Sequence, residues 1–364
     1  MSSLKIRSKS MLGTTHSWSV TMQNLLLQFH KKNHDLYLRS IDGYELLPEE
    51  LSSFAERECI EPDIDIAYTL PRNFKIRYNL NSKLKLGIYN YESSTLPGVW
   101  NKSIDYIDYA LPSSNFSRQV FIDGGWPKDK CVVIPHGINI DDFKNKDRVK
   151  NLKTNKRFKF LNISIPHHRK NIGLLVQAYY KAFSANEDVC LIIKTSLKPP
   201  KYRFECDVTK EILNVQRMRE NRKRPLPQLE ILDCKYESMV PLYNSCDCLV
   251  SASSGEGFGL PFLEALAAGM NVIAPACTGQ LDFLNKKNSL LVKTNIIKAD
   301  YRHQYWRPSN GATVFSPELK SLSDQMRNAY DNHLELKKKF EIERNRTINE
   351  FTWENAANKI LELV

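Results

Sequence analysis

The chain has 364 residues, 42% hydrophobic and 10% aromatic, which is ordinary for a globular protein and long enough for two domains with two cores. No apolar run approaches the roughly 20 residues that span a bilayer, and the start MSSLKIRSKS lacks the apolar stretch and cleavage site of a secretory signal. The formal charge of +11 points to polyanionic partners: phosphates, acidic lipids or nucleic acid. The eight cysteines are scattered, and Cys246-x-Cys248 is too close for a zinc pair, so they read as reduced thiols of a cytoplasmic protein.

Strand and helix alternate from the start. Residues 4–7 read as a first strand, Gly13, Thr14, Thr15 and His16 as a turn. Residues 20–30 show helical spacing, with Leu25, Leu26 and Phe29 on one face. Residues 35–39, 64–68, 84–89 and 131–134 read as further strands. Asp63-Ile64-Asp65 has the spacing of a metal-binding Asp-x-Asp. It opens a strand, where side chains at i and i+2 share a face, and reads as structural.

Residues 144–159 carry Lys or Arg at nearly every second position and few apolar residues, the composition of a linker. A second basic cluster runs from Arg217 to Arg224. A second strand–helix series begins at residues 158–163. Its helix puts Leu174, Leu175, Ala178, Tyr179, Ala182 and Phe183 on one face. Strands follow at residues 189–193, 229–232, 248–250 and 271–274, and a last helix near 352–364. Such alternation predicts two parallel α/β sheets, hence two Rossmann-like domains with a cleft between them, and ligands at the carboxyl ends of the strands.

The densest chemistry lies between Glu256 and Glu264. These carboxylates flank seven residues that begin as a glycine-punctuated loop, Gly257-Phe258-Gly259, and become a helix at Leu260-Pro261. Pro261 suits a first helical turn, and Gly269 stops the helix. Two fixed acceptors beside a helix N-terminus suit a ligand with both hydroxyls and phosphate, and a nucleotide sugar is such a ligand. His167-His168-Arg169-Lys170-Asn171 sets cations between a strand and a helix, where they would hold a diphosphate.

The block of residues 249–275, LVSASSGEGFGLPFLEALAAGMNVIAP, resembles the signature of retaining glycosyltransferase family 4, built on the GT-B fold. The Glu-x7-Glu spacing, the GFGLP between and the Ala-Ala-Gly after it all match. Arg169 and Lys170 match the family's basic turn. Ser164-Ile165 stands where many members have Gly-Arg, which leaves Arg169 to cover the missing arginine. Residues 132–139 with Phe143 resemble the segment that ends the family's first domain, and Thr278-Gly279-Gln280-Leu281-Asp282 its Gly-Gly-x-x-Glu turn.

The resemblance implies an acceptor-binding domain at 1–145, a nucleotide-sugar domain at 146–349, and a helix at 350–364 packing back on the first. It implies transfer of a sugar, a hexose, from a nucleotide diphosphate donor with retention, and no metal or other cofactor. Glu256 would orient the sugar, Glu264 would bind the ribose, and Lys170 and Arg169 would neutralise the diphosphate. Ser253, Gly257, Phe258, Gly259 and Leu260 would line the donor site. Gly13, His16 and Glu92 are candidate donor or acceptor contacts. The acceptor would be a glycan, a polysaccharide or a lipid-linked glycan, with the basic clusters on an anionic membrane surface. Two alternatives remain open: a modified base in DNA, with the charge on backbone phosphate, and a non-catalytic protein that binds nucleotide sugars.

Overall fold

The computed structural model describes residues 3–14, 16–202, 205–220, 225–300 and 311–364, with the backbone alone at 219–220. The chain divides into two compact units. The first comprises Met1–Tyr91, Thr95–Gly137 and Phe351–Val364; the second comprises Glu92–Ser94 and Ile138–Glu350.

The first unit holds β1 (Lys5–Ser10), β2 (Asp35–Ser40), β3 (Ile64–Tyr68), β4 (Leu84–Ile88) and β5 (Tyr109–Leu111). They form one parallel sheet in the order β2-β1-β3-β4-β5. Helix α1 (Ser17–Lys31) follows β1 and buries Met22, Leu25, Leu26 and Phe29. β3 is buried along its whole length, as a central parallel strand must be. Asp65 within it is held by Arg7 at 2.7 Å, by the Asn79 N–H and by the Ser82 hydroxyl. The Asp-x-Asp is therefore structural.

Residues 131–134 do not form a strand of the sheet. They run beside the short β5, with Val132 N–H donating to the Ala110 carbonyl (3.0 Å) and Ile134 N–H to that of Pro112 (2.9 Å). Pro127 and Pro135 bracket the segment and limit its pairing.

The second unit holds β6 (Phe158–Ile163), β7 (Val189–Lys194), β8 (Gln228–Leu232), β9 (Cys248–Val250), β10 (Asn271–Pro275) and β11 (Leu290–Val292). Their order is β11-β10-β9-β6-β7-β8, and every pairing is parallel. Helix α2 (Ile172–Ala182) follows β6 and lays Leu175, Val176, Ala178 and Tyr179 into a core with Phe160, Leu191, Ile193 and Val250. Each such side chain contributes about 1.5–3 kcal/mol on full burial. Helix α3 (Leu260–Ala267) follows β9. A hairpin, β12 (Thr294–Lys298) with β13 (Thr313–Pro317), lies outside the sheet.

The basic stretch after Lys144 does not hang free. Asn244 donates to the carbonyls of Asn145 and Asp147, Val149 N–H donates to Ser245, and Lys153 and Thr154 N–H donate to Glu230. It is laid along the second unit. Of the Arg217–Arg224 cluster, residues 221–224 lie outside the described residues, as does Thr15.

The last helix, α4 (Trp353–Leu361), belongs to the first unit and is capped by the Thr352 side chain, which accepts from Asn355 N–H. It packs along α1, with Lys32 and Glu354 3.6 Å apart. Among the described residues, no helix is long and apolar enough to cross a membrane. All eight cysteines are free thiols.

Candidate functional site

The sheet of the second unit has a switch point between β6 and β9. From β6 the chain moves to β7 and β8 on one side, then returns through β9 to β10 and β11 on the other. The loops leaving β6 and β9 diverge there and open a crevice at the carboxyl ends of the strands. Asn162, Lys170, Ser251, Glu256, Gly259 and Phe262 are among the residues that line it.

The loop after β6 makes a single 3₁₀ turn at His168–Lys170. The His167 ring accepts from Arg169 N–H at 3.1 Å, which only a neutral imidazole can do. Burial, with the charges of Arg169 and Lys170, keeps it neutral by lowering its pKa to about 2. Asn171 adopts a left-handed conformation (φ 50°, ψ 47°). Its amide donates to the Ala252 carbonyl at 3.0 Å and to Ser254 Oγ at 2.7 Å. Ser254 N–H in turn donates to the Arg169 carbonyl at 2.8 Å. The two crevice loops are thus laced together.

Four charges gather on this lacing. Lys170 Nζ is 2.6 Å from Glu256 Oε1, and Arg169 is 3.2 Å from Glu256 Oε2 and 3.3 Å from Glu92 Oε1. Arg169 is also bonded to the Gly255 carbonyl and lies 3.4 Å from Ser253 Oγ. Burial alone would raise the Glu256 pKa, but the charges of Lys170 and Arg169 and the hydrogen bond from Lys170 overrule it and hold it at about 2. Burial lowers the pKa of Lys170 against the opposing pull of Glu256. Burial raises that of Glu92, Arg169 opposes the rise and Glu256 adds to it.

Glu256 is held by its backbone as well. Its N–H donates to Thr278 Oγ1 at 2.9 Å, and its carbonyl accepts from Gly279 N–H at 3.0 Å. Thr278 sits at φ 55°, ψ −152°, a region that a β-branched residue occupies at a cost of order 1–3 kcal/mol. The Thr278–Asp282 segment therefore clamps Glu256. Asp282 itself is half-buried at the end of its 3₁₀ turn.

The rest of the glycine-rich stretch shapes the loop. Ser253 is fully buried and donates its hydroxyl to the Gly255 carbonyl at 3.0 Å. Gly257 is buried, and Phe258 packs on Phe283 at 4.9 Å. Gly259, at φ 96°, turns the chain into α3, which begins at Leu260 with Pro261 in its first turn. Glu264, half-buried, lies within α3 and accepts from the Tyr243 hydroxyl at 2.5 Å. Burial raises its pKa and the bond from Tyr243 opposes the rise.

Glu92, a first-domain residue by sequence order, belongs to the second unit and joins the charge cluster. Gly13 and His16 belong to the first unit, in the loop between β1 and α1. A Cβ on Gly13 would run into the Gly43 carbonyl, so the loop needs glycine there. His16 caps α1 by accepting from Trp18 N–H at 3.2 Å. Tyr243 and the pairing of Glu92 with Arg169 escaped the sequence reading, because nothing in their spacing marks them as neighbours of the motif. Among the described residues no group of three or more His, Cys, Asp or Glu side chains is placed to hold a metal ion.

Residues 143–301 match the family described as Glycosyl transferases group 1. A curated relative, the uncharacterized glycosyltransferase 335 of Sulfolobus islandicus rod-shaped virus 1, is 24% identical over 202 residues, or 54% of this chain. The chain spans 56% of that relative's length. A glycosyltransferase from Rickettsia africae has a similar fold, with a TM-score of 0.72 and 17% identity over 100% of this chain and 98% of that one. So does Anabaena HepE, solved in complex with UDP and glucose, with a TM-score of 0.70 and 12% identity over 99% of each chain. The chain therefore has the GT-B fold of these structures, and its likeness to Glycosyl transferases group 1 is carried by residues 143–301.

Proposed function

We propose that the protein is a retaining, metal-independent glycosyltransferase of family 4. It moves a hexose from a nucleotide diphosphate sugar to a glycan, a polysaccharide or a lipid-linked acceptor. The observation that carries this reading is the Lys170–Glu256 pair, 2.6 Å apart at the switch point of the second sheet. The UDP complexes of HepE favour a uridine donor.

The chemistry follows from the charges. The bond between the anomeric carbon and the diphosphate oxygen breaks, and negative charge grows on the diphosphate. Lys170 stabilises it, which is the role a preorganised cation plays at a developing anion. Arg169 is spoken for by Glu92, Glu256 and the Gly255 carbonyl, so it acts by fixing the loop and supplying field. The acceptor oxygen bonds to the anomeric carbon on the departing side, and its proton passes to a diphosphate oxygen. Glu256, ionised at neutral pH, accepts hydrogen bonds from sugar hydroxyls and orients the ring. Glu264 accepts from the ribose with the oxygen that Tyr243 leaves over. Fixed cations make a metal unnecessary for the leaving group.

The basic stretch 144–159 supports work at an anionic surface, on the cytoplasmic side of a membrane. The test is thermal shift against a panel of nucleoside diphosphates and their sugars, because a ligand of the native state raises the melting temperature. The donor so found is then used in transfer assays, with the anomeric configuration of the product read by NMR. A nucleoside diphosphate that stabilises the protein and a retained anomer are expected. No shift with any donor overturns the reading, and an inverted product overturns its mechanism.

A further inference from the structure

The sheet of the first unit has a switch point of its own, between β1 and β3. β2 lies on one side, β4 and β5 on the other. Ligands of open α/β sheets favour such a crevice. Two aromatic rings meet there. Trp18, in the first turn of α1 after the β1 loop, stacks on Tyr68, the last residue of β3, with centroids 4.9 Å apart and planes at 17°. Tyr89 and His16 meet the indole edge-on, at 6.0 Å and 82° and at 5.4 Å and 86°.

The pair is rigidly supported. Tyr68 is only 3% exposed, and its hydroxyl accepts from the Asn90 amide at 2.8 Å. The Asn90 carbonyl oxygen accepts from Ser113 N–H and Ser113 Oγ, each at 2.7 Å. The same Asn90 amide lies 3.3 Å from His136 Nε2. The Trp18 backbone is fixed in turn by its N–H donating to His16 Nδ1 at 3.2 Å. Trp18 itself stays half-buried, with Tyr68 against one face of its indole. A preorganised aromatic face beside polar groups is what a flat ligand with an apolar face and a hydroxyl rim requires. The C–H face of a pyranose ring is such a surface.

We propose that Trp18, backed by Tyr68, is a saccharide-binding platform that seats one pyranose ring of the acceptor. The word acceptor rests on the transferase reading; the platform itself does not. The test is saturation-transfer NMR of the whole protein against methyl hexopyranosides and short oligosaccharides, with wild type, Trp18→Ala and Trp18→Phe. The indole N–H resonance missing from Trp18→Phe identifies Trp18 in the wild-type spectrum. Saccharide should move that resonance. Affinity should fall about tenfold or more in Trp18→Ala and by less in Trp18→Phe, which keeps a ring on Tyr68. Should Trp18→Ala fail to fold, the indole shift and Trp18→Phe still decide. UDP stabilisation should be the same in wild type and Trp18→Phe. A wild type that binds no saccharide, or a Trp18→Ala that binds as well as wild type, overturns the platform. Saccharide binding at Trp18 in a protein that binds no nucleotide keeps the platform and sinks the transferase reading.

Discussion

Lys170 Nζ and Glu256 Oε1 lie 2.6 Å apart, with their side chains only 14% and 13% exposed. One comes from the loop after β6, the other from the loop after β9, and neither strand neighbour in sequence brings them together. The pair exists because the strand order reverses between those two adjacent parallel strands. A charge pair so placed has two consequences that separate in experiment, one for turnover and one for stability.

For turnover, Lys170→Met should lower kcat by about 10²–10³, the usual cost of removing one preorganised stabiliser of transition-state charge. Donor affinity should change by much less, because the charge Lys170 meets grows only as the bond breaks. Steady-state kinetics with direct measurement of donor Kd checks this. Unchanged turnover removes Lys170 from the reaction.

For stability, the sign follows from the Glu256 pKa, about 2 in the folded protein against an ordinary value of 4.5. A depressed carboxylate pKa stabilises the fold fully above the ordinary value, and the contribution is lost as pH falls towards the folded one. Glu256→Gln also leaves Lys170 buried without its nearest partner, a loss of about 3–5 kcal/mol by analogy with broken buried pairs. The melting temperatures of wild type and Glu256→Gln should therefore differ widely at neutral pH and converge in acid. A gap that does not narrow in acid contradicts the pairing.

Much of this was legible in the sequence, and the reasons are local. Strands such as Val189–Lys194 are continuous apolar runs, the mark of a sheet covered on both faces, and the GFGLP loop announces its own turn through Gly259. The motif placed Lys170, Arg169 and Glu256 in one site through resemblance. What stayed hidden depends on the third dimension. Thr278 clamps Glu256 from 22 residues away, and Glu92 reaches Arg169 from the other end of the chain order. Residues 131–134 look like a strand because their composition is strand-like, yet β5, three residues long, has little edge to offer them. The basic stretch looks like a free linker because its polar side chains hide where its backbone bonds go, which is to Glu230 and Asn244.

Tyr243 and Glu264 provide a test of the ribose assignment. The Tyr243 hydroxyl takes one Glu264 oxygen at 2.5 Å and leaves the other for a ligand. Glu264→Ala should weaken nucleoside diphosphate binding by about 1.5–3 kcal/mol, the range for a hydrogen bond to a charged group. Tyr243→Phe keeps the carboxylate and should cost less affinity, while lowering the melting temperature because it leaves a half-buried carboxylate short of a donor. Calorimetric titration of both variants separates the two. Equal affinity losses would mean that Glu264 acts only through Tyr243.

Gly259 links the backbone to the site. It turns the chain at φ 96° into α3, and a Cβ there would come within 2.7 Å of the Phe262 ring. Alanine is disfavoured in that region by about 1–2 kcal/mol before any clash is counted. Phe262 is buried and lines the crevice with Lys170 and Glu256, so a shift of its ring would itself reshape the crevice. Gly259→Ala should therefore displace either the start of α3 or the Phe262 ring, and both border the crevice. The melting temperature of the second unit should drop by several degrees, since about 1 kcal/mol corresponds to ~2–4 °C in a domain of that size. Nucleotide binding should fall by more than this loss of stability explains, because the loop that carries Glu256 ends at Gly259. Hydrogen exchange over residues 255–264, read by mass spectrometry, should rise while that of α2 stays unchanged. A variant with wild-type exchange and wild-type nucleotide affinity would show that the left-handed turn is not what sets the loop.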